Sequence, residues 1–119
     1  MTWARRVNKF NARKVEIDGI KFDSQKEARR YQELLLLQKA GEVMRFDVHP
    51  RYTLWANAPE YQRLSVLIGH YSPDFYVLYS SGEVVIEDVK SEPSKTTAYR
   101  LRKKIFEANY WPLTVTEID

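Results

Sequence analysis

Three segments between residues 64 and 89 show the two-residue alternation of β-strands, and a segment with helical periodicity lies on either side of them. We predict strands over 64–68, 74–79 and 83–89, and helices over 24–40 and 96–109. Ser24 followed by Glu27 is a capping box at the start of the first helix. Strands grouped between two helices are typical of an α+β fold.

A short hairpin over 15–22, with its turn at Asp18-Gly19, precedes the first helix. Met44, Phe46 and Val48 indicate a further strand, and Tyr52 begins another or its continuation, before a loop over 56–62. A last strand from Leu113 should run parallel to its neighbour. The prediction is a three-layer α/β arrangement: a mixed central sheet with helices on its faces, in the order helix, strand meander, helix, strand. In the second helix, the residues expected to face inward are Ala98, Leu101, Ile105 and Ala108.

The length of 119 residues is enough for one hydrophobic core. We predict one domain over 13–119, preceded by a flexible basic arm over 1–12. The absence of cysteine excludes a disulfide framework and a thiolate zinc site. No apolar run has the length of a membrane span or the form of a signal peptide, so we expect a cytoplasmic protein that does not bind membranes.

Positive charge is concentrated in two stretches, although the net charge is only +3. Residues 1–14 hold five basic side chains and no acid, and residues 90–104 hold six basic side chains against one acid. Such patches are either solvated faces or a binding surface for a polyanion, and we favour nucleic acid. The candidate DNA-binding residues are Arg5, Arg6, Lys9, Arg13, Lys14, Lys95, Tyr99, Arg100, Lys103 and Lys104.

Asp74 and Asp88 are predicted to lie opposite each other on adjacent strands. A three-residue loop at 80–82, with Gly82 in the left-handed conformation, gives this register, whereas a two-residue loop would send Asp88 to the other face. Lys90 shares a face with Asp88 because the two are separated by two positions. Two facing carboxylates and an ammonium beside a hydrophobic layer are either solvated strand-end charges or ligands of a divalent cation.

Glu27 favours the metal interpretation because an acid one turn into a core-facing helical stripe is unusual. Its alternative role is to complete the capping box with Ser24. His49 and His70 each lack a second ligand at a suitable spacing, so we expect structural roles for both. Glu87 should face away from Asp88 on an ideal strand.

The pattern Pro73-Asp74 followed by Asp88-Val89-Lys90 resembles the signature of the PD-(D/E)xK nuclease superfamily. The helical Glu27 matches the additional acid of many members, and the element order resembles the restriction-endonuclease-like core. The run over 9–14, Asp18-Gly19 and the segment over 22–31 resemble a group of small phage and prophage endonucleases. That group resembles archaeal-type Holliday-junction resolvases.

This resemblance implies metal-dependent hydrolysis of phosphodiester bonds. Asp74 and Asp88 would bind Mg²⁺, with Glu27 as a direct or water-mediated ligand and the Val89 backbone carbonyl as a further one. Mn²⁺ is expected to support activity too. Lys90 would orient or deprotonate the attacking water and stabilise charge on the phosphate.

The expected function is a structure-selective endonuclease acting on branched DNA, such as a phage Holliday-junction resolvase working in the bacterial host cytoplasm. Symmetric cuts across a four-way junction need two active sites, which implies a homodimer. Two alternatives remain open at this point. One is a partner-dependent, end-cleaving or sequence-directed nuclease, and the other is a non-catalytic nucleic-acid-binding module on the same fold.

Overall fold

A computed structural model describes residues 14–58 and 61–119, so the predicted basic arm over 1–12 lies outside the described residues. The first elements are the predicted hairpin, β1 (Val15–Ile17) and β2 (Ile20–Phe22), and then helix α1 (Gln25–Lys39). The Ser24 hydroxyl accepts a 3.1 Å hydrogen bond from the Glu27 N–H at the start of α1. The predicted hairpin and capped helix are therefore confirmed.

The central sheet has four strands in the order β3–β6–β7–β8. β3 and β6 are antiparallel, as are β6 and β7, whereas β7 and β8 are parallel as predicted. A 3₁₀ turn and helix α2 provide the crossover between the last two strands. The bounds are β3 (Val43–Val48), β6 (Phe75–Tyr79), β7 (Val84–Val89), the turn (Glu92–Ser94), α2 (Thr97–Asn109) and β8 (Val115–Ile118).

The loop between β6 and β7 produces the predicted register. Tyr79 donates a backbone hydrogen bond to Glu83, and Gly82 has φ = +93°. The β6–β7 pairing that continues from this loop places Asp74 opposite Asp88. A glycine in the left-handed region thus fixes which residues of β7 face which side of the sheet.

Residues 52–71 form a separate two-stranded ribbon, made of β4 (Tyr52–Ala58) and β5 (Tyr61–Tyr71). The predicted loop over 56–62 is therefore wrong for every part of it that the structure describes. Trp55, Val66, Leu67 and Ile68 are exposed. Because Ala56 and Asn57 are both exposed, this end of β4 lacks the apolar–polar alternation that normally identifies a strand. The strand predicted over 64–68 lies within β5 and is confirmed.

Two hydrophobic clusters lie on opposite faces of the central sheet. One joins α1 and the β1–β2 hairpin to the sheet, and its buried members are Phe22, Ala28, Tyr31, Leu34, Val43, Phe75 and Val77. The other joins α2 and the ribbon to the opposite face, and its buried members are Leu54, Tyr71, Ile86, Tyr99, Phe106 and Val115. The described residues thus form an α+β fold with a mixed sheet and one helix on each face.

The predicted inward face of α2 is confirmed only at Ile105, which is partly buried against the second cluster. Leu101 is 58% exposed, and Ala98 and Ala108 are also exposed, whereas Tyr99 and Phe106 are buried. The prediction aligned the aliphatic residues of the helix, but the aromatic residues remove more apolar area from water and determine which side packs.

A β-bulge alters the predicted alternation of β3. The pairing of β3 with β6 shifts register between Val43 and Arg45, so that Val43 is buried and Met44 is 60% exposed. An extra residue in one strand interrupts the regular pairing, so the residues before and after it no longer follow one continuous alternation of faces.

No helix among the described residues is long and apolar enough to cross a membrane.

Candidate metal centre

Asp74 and Asp88 lie at the same end of the central sheet. Asp74 immediately precedes β6, and Asp88 lies near the end of β7. The Oδ2 atom of Asp74 accepts a 2.7 Å hydrogen bond from the Val89 N–H. The Oδ2 atom of Asp88 accepts a 2.5 Å hydrogen bond from the hydroxyl of Tyr71, the last residue of β5. Each carboxylate is therefore held in place by a donor on a strand.

Lys90 follows β7 and lies beside Asp88. Its Nζ is 3.9 Å from Asp88 Oδ1 and 4.7 Å from the centroid of the Tyr99 ring. Tyr99 belongs to the buried side of α2. A cation over an aromatic face is attracted by the negative potential of the ring, so helix α2 helps to position the ammonium next to the acids.

Glu27 brings a third carboxylate to this end of the sheet from α1. Ser24 caps the helix through the backbone of Glu27, and its hydroxyl also donates to Glu27 Oε2 at 3.3 Å. The other oxygen, Oε1, is buried and has no hydrogen-bond partner among the described residues. The capping role therefore leaves one oxygen of Glu27 available to the acidic cluster.

His49 also belongs to this cluster, although the sequence analysis expected a structural role for it. Its Nε2 lies 3.7 Å from Glu27 Oε1, and its backbone N–H donates to the Asp74 carbonyl at 2.9 Å. One ligand atom from each of Glu27, His49 and Asp74 lies within 4.8 Å of the others. The available signal was positional: His49 directly follows β3, and Asp74 directly precedes β6, the antiparallel neighbour of β3.

Burial makes the ionised forms of these acids costly. It raises the pKa of Asp74 to about 7, and the neighbouring Glu27 carboxylate adds to this rise. Burial also raises the pKa of Asp88 to about 8, with Asp74 as a second cause, while Lys90 and Tyr71 act in the opposite direction. The pKa of Glu27 is raised by burial as well.

These residues fit a divalent cation. Carboxylate oxygens are the ligands that Mg²⁺ and Mn²⁺ prefer in proteins, and Glu27 Oε1 is a buried oxygen that lacks a donor. A positive ion would also offset the repulsion that raises the pKa values of the acids. Asp74 interacts with both of the other carboxylates, since Glu27 raises its pKa and a hydrogen bond with Asp88 lowers it.

Glu87 points to the opposite face from Asp88, as the strand geometry predicts. Its carboxylate accepts two hydrogen bonds from the Arg30 guanidinium, of 2.8 Å from Nε and 2.7 Å from Nη2. This bidentate pair ties α1 to β7. Glu87 therefore has a structural role beside the cluster.

Glu117 of β8 neutralises part of the predicted DNA-binding surface, at Lys103 of α2 and at Lys95, which precedes the helix. Its carboxylate lies 3.5 Å from Lys95 Nζ and 3.8 Å from Lys103 Nζ. The Tyr99 hydroxyl donates to it at 2.8 Å, which lowers the pKa of Glu117. Tyr99 is thus directed into the protein, where it supports Lys90, while Arg100 remains exposed.

The other predicted DNA-binding residues are only partly described. Lys14 and Lys104 are exposed, whereas Arg5, Arg6, Lys9 and Arg13 lie outside the described residues. A cleft of about 280 Å³ beside β7 has a lining of mixed charge, in which Arg29 is the cation without an ion-pair partner among the described residues. No sequence pattern indicated this cleft, because its residues come from α1 and the end of the sheet. The cleft is lined by Lys26, Arg29, Arg30, Glu33, Val89, Ile118 and Asp119.

Comparison with models of protein families assigns almost the whole chain to one family. The model of a family described as "Protein of unknown function (DUF1064)" matches residues 7–118. The chain belongs to this family. The matched region of this DUF1064 chain contains Glu27, His49, Asp74, Asp88 and Lys90. Neither the curated proteins nor the solved structures contain a match to it.

Proposed function

We propose that this chain is a metal-dependent endonuclease of the PD-(D/E)xK type that hydrolyses phosphodiester bonds in branched DNA, as a Holliday-junction resolvase does. One observation carries the proposal: the acids Glu27, Asp74 and Asp88 come from three separate segments and meet at one end of the sheet, with Lys90 beside Asp88. The order of the helices and strands also supports a restriction-endonuclease-like fold, with the β4–β5 ribbon inserted between β3 and β6.

In this proposal the cofactor is Mg²⁺, and Mn²⁺ also supports activity. Asp74 and Asp88 are the principal ligands, Glu27 binds directly or through water, and the Val89 carbonyl is a further ligand. A bound divalent cation polarises a phosphoryl oxygen and lowers the pKa of a bound water molecule.

The residues of the chain orient the reacting groups. The Tyr71 hydroxyl and the Val89 N–H fix the Asp88 and Asp74 carboxylates. The Lys90 ammonium carries N–H donors that can orient the attacking water and bind an oxygen of the scissile phosphate. Because the Tyr99 ring holds this ammonium, Lys90 reaches the phosphate with little loss of side-chain freedom.

The proposed substrate is recognised mainly through its phosphates. Exposed cations such as Lys14, Arg100 and Lys104 would provide affinity that is independent of sequence and sensitive to salt. The proposed homodimer supplies a second active site for the opposite strand of a junction. The exposed apolar side chains of the ribbon are the surface that we assign to contact between two copies.

The test is a cleavage assay with the full chain in Mg²⁺, on a panel of four-way junction, flap, duplex and single-stranded DNA. We expect cleavage of the junction, and loss of at least about a thousandfold in rate for Asp74→Asn, Asp88→Asn and Lys90→Ala. These variants should still bind DNA. Asp47→Asn is the matched control, because Asp47 is an exposed acid of β3 outside the cluster.

Failure to cut any DNA of the panel would contradict the proposal. If the protein then still binds Mg²⁺ through Asp88, the partner-dependent nuclease becomes the better hypothesis. If it binds DNA but no divalent cation, the better hypothesis is the non-catalytic nucleic-acid-binding module. A calorimetric titration of Mg²⁺ into the wild-type protein and Asp88→Asn separates these two cases.

A further inference from the structure

The acidic cluster has two halves with different ligand chemistry. Asp74 and Asp88 offer oxygen atoms only, on the side of Lys90. Glu27, His49 and Asp74 offer two carboxylates and an imidazole nitrogen, all within 4.8 Å of one another. Asp74 belongs to both halves. Imidazole is a ligand for first-row transition metals rather than for Mg²⁺, so the two halves should differ in the ion they prefer.

The backbone places His49 in this cluster in an uncommon conformation. His49 has φ = +52°, in the left-handed region that residues other than glycine rarely adopt. The hydrogen bond from its N–H to the Asp74 carbonyl accompanies this conformation, and the imidazole lies 5.8 Å from the Phe22 ring between centroids. These contacts fix the ring beside Glu27, while 39% of the side chain remains exposed.

A simple structural contact between His49 and Glu27 does not satisfy the groups involved. The 3.7 Å between Nε2 and Oε1 is too long for a hydrogen bond. Oε1 is buried and has no hydrogen-bond partner among the described residues, and Glu27 as a whole is only 6% exposed. A buried acceptor in this state is costly unless a ligand satisfies it.

The spacing of the three ligand atoms suits a shared ion. Ligands about 2.1 Å from one octahedral ion are separated by roughly 3.0 to 4.2 Å. The distance of 3.7 Å between His49 and Glu27 falls inside this interval. The 4.8 Å limit for the whole group exceeds it only slightly, so small side-chain rotations would bring all three atoms to one centre. The exposed side of the imidazole leaves room for water or a phosphate oxygen.

We propose that Glu27, His49 and Asp74 form a binding site for a first-row transition-metal dication such as Mn²⁺, with His49 Nε2 as the nitrogen ligand. This inference rests on the proposed function, since it assigns a second, selective position to the same metal centre. Asp74 would be shared with the oxygen-only half that Asp88 completes. The centre would then bind two different ions at the same time, or bind whichever of the two ions is more abundant.

Pulsed electron paramagnetic resonance of bound Mn²⁺ tests the proposal directly. A coordinated imidazole gives a nitrogen hyperfine coupling to the ion, and the chain contains only two histidines. We expect this coupling in the wild-type protein and in His70→Asn, and its loss in His49→Asn. Asparagine suits the test because it tolerates a positive φ. His70 is the matched control, an exposed histidine of β5.

Calorimetric titration adds a quantitative readout. His49→Asn should weaken Mn²⁺ binding by at least about tenfold and Mg²⁺ binding by less than about threefold, while His70→Asn changes neither. Absence of nitrogen coupling in the wild-type protein overturns the inference, and so does coupling that persists in His49→Asn. If His49→Asn does not fold, coupling that survives in His70→Asn still identifies His49 as its source.

The outcome is separable from that of the nuclease proposal. Cleavage of junction DNA with Mg²⁺ but without nitrogen ligation of Mn²⁺ would overturn the His49 site alone. Nitrogen ligation through His49 in a protein that cuts no DNA would support the site and contradict the nuclease.

Discussion

The end of the central sheet and the β4–β5 ribbon distribute polar and apolar side chains in opposite ways. At the sheet end, Glu27 and Asp88 are buried carboxylates. On the ribbon, Val66, Leu67 and Ile68 are apolar side chains that are about half exposed. Both arrangements cost free energy in an isolated chain, the first through desolvation of charge and the second through hydration of apolar surface.

The proposed function assigns a different partner to each region. Buried acids are stabilised by a cation, and exposed apolar side chains are stabilised by another protein surface. One hydrogen bond connects the two regions, because the hydroxyl of Tyr71, the last residue of β5, donates to Asp88 at the sheet end. We therefore expect metal binding to act on the sheet end and association of two copies to act on the ribbon.

The largest expected effect is the response of stability to pH and metal. The pKa values of Asp74 and Asp88 rise from 3.8 to about 7 and about 8 in the folded chain. In these two acids the folded state then binds more protons than the unfolded state, so their contribution to metal-free stability is fully present below about pH 4 and is lost as pH rises through about 7 to about 8. We expect the melting temperature of the metal-free protein to drop by about 10 °C or more between about pH 5 and about pH 8.

Thermal melts with a chelator, and then with Mg²⁺, check this prediction. Mg²⁺ should restore most of the lost stability at about pH 8. Asp88→Asn should flatten the pH dependence and remove much of the metal response, whereas Asp47→Asn should behave as the wild-type protein does. A metal-free melting temperature that rises between pH 5 and pH 8 would show that folding does not raise the pKa values of Asp74 and Asp88.

An effect of intermediate size on dimerisation is expected from a substitution in the ribbon. Leu67→Glu places a charge in the exposed apolar surface, and we expect it to weaken dimerisation by at least about tenfold. Leu36→Glu is the matched control, since Leu36 is an exposed leucine on α1. Sedimentation velocity over a range of protein concentrations measures the association. A wild-type protein that remains monomeric would remove the dimer from the proposed function.

The smallest expected effect concerns the cleft beside β7. Arg29 is exposed and has no ion-pair partner among the described residues, whereas the other cations of the cleft, Lys26 and Arg30, bind Asp119 and Glu87. Arg29→Ala should weaken binding of junction DNA by a few-fold and reduce the slope of log affinity against log salt by about one. Lys39→Ala, at the other end of α1, should leave both quantities unchanged.

Much of the candidate site could be predicted because it follows local rules. The alternation of β6 and β7 and the glycine of their loop determine that Asp74 faces Asp88, and two-residue spacing adds Lys90. Glu27 is identified by its place in the stripe of α1 that packs on the sheet. Each of these inferences needs only one element and its nearest neighbour.

The features that the prediction missed depend on contacts between distant segments. His49 joins the cluster through a positive φ and a hydrogen bond to Asp74, and no periodic pattern encodes either. Glu117 faces Lys95 and Lys103 only after β8 pairs with β7. The inward side of α2 is chosen by the aromatic rings that it packs against the ribbon, among them the Tyr52 and Phe106 pair.

The loop over residues 80–82 has a consequence at a distance. Asp88 lies five residues along β7 from Glu83, roughly 17 Å away. A shift of the β6–β7 pairing by one position at this loop would turn the β7 side chains over. In one direction Val89 would face Asp74 and Asp88 would take the place of Glu87 beside Arg30, and in the other direction Glu87 would face Asp74. The length of this loop and the glycine at position 82, with its positive φ, therefore control the geometry of acids at the far end of the strand.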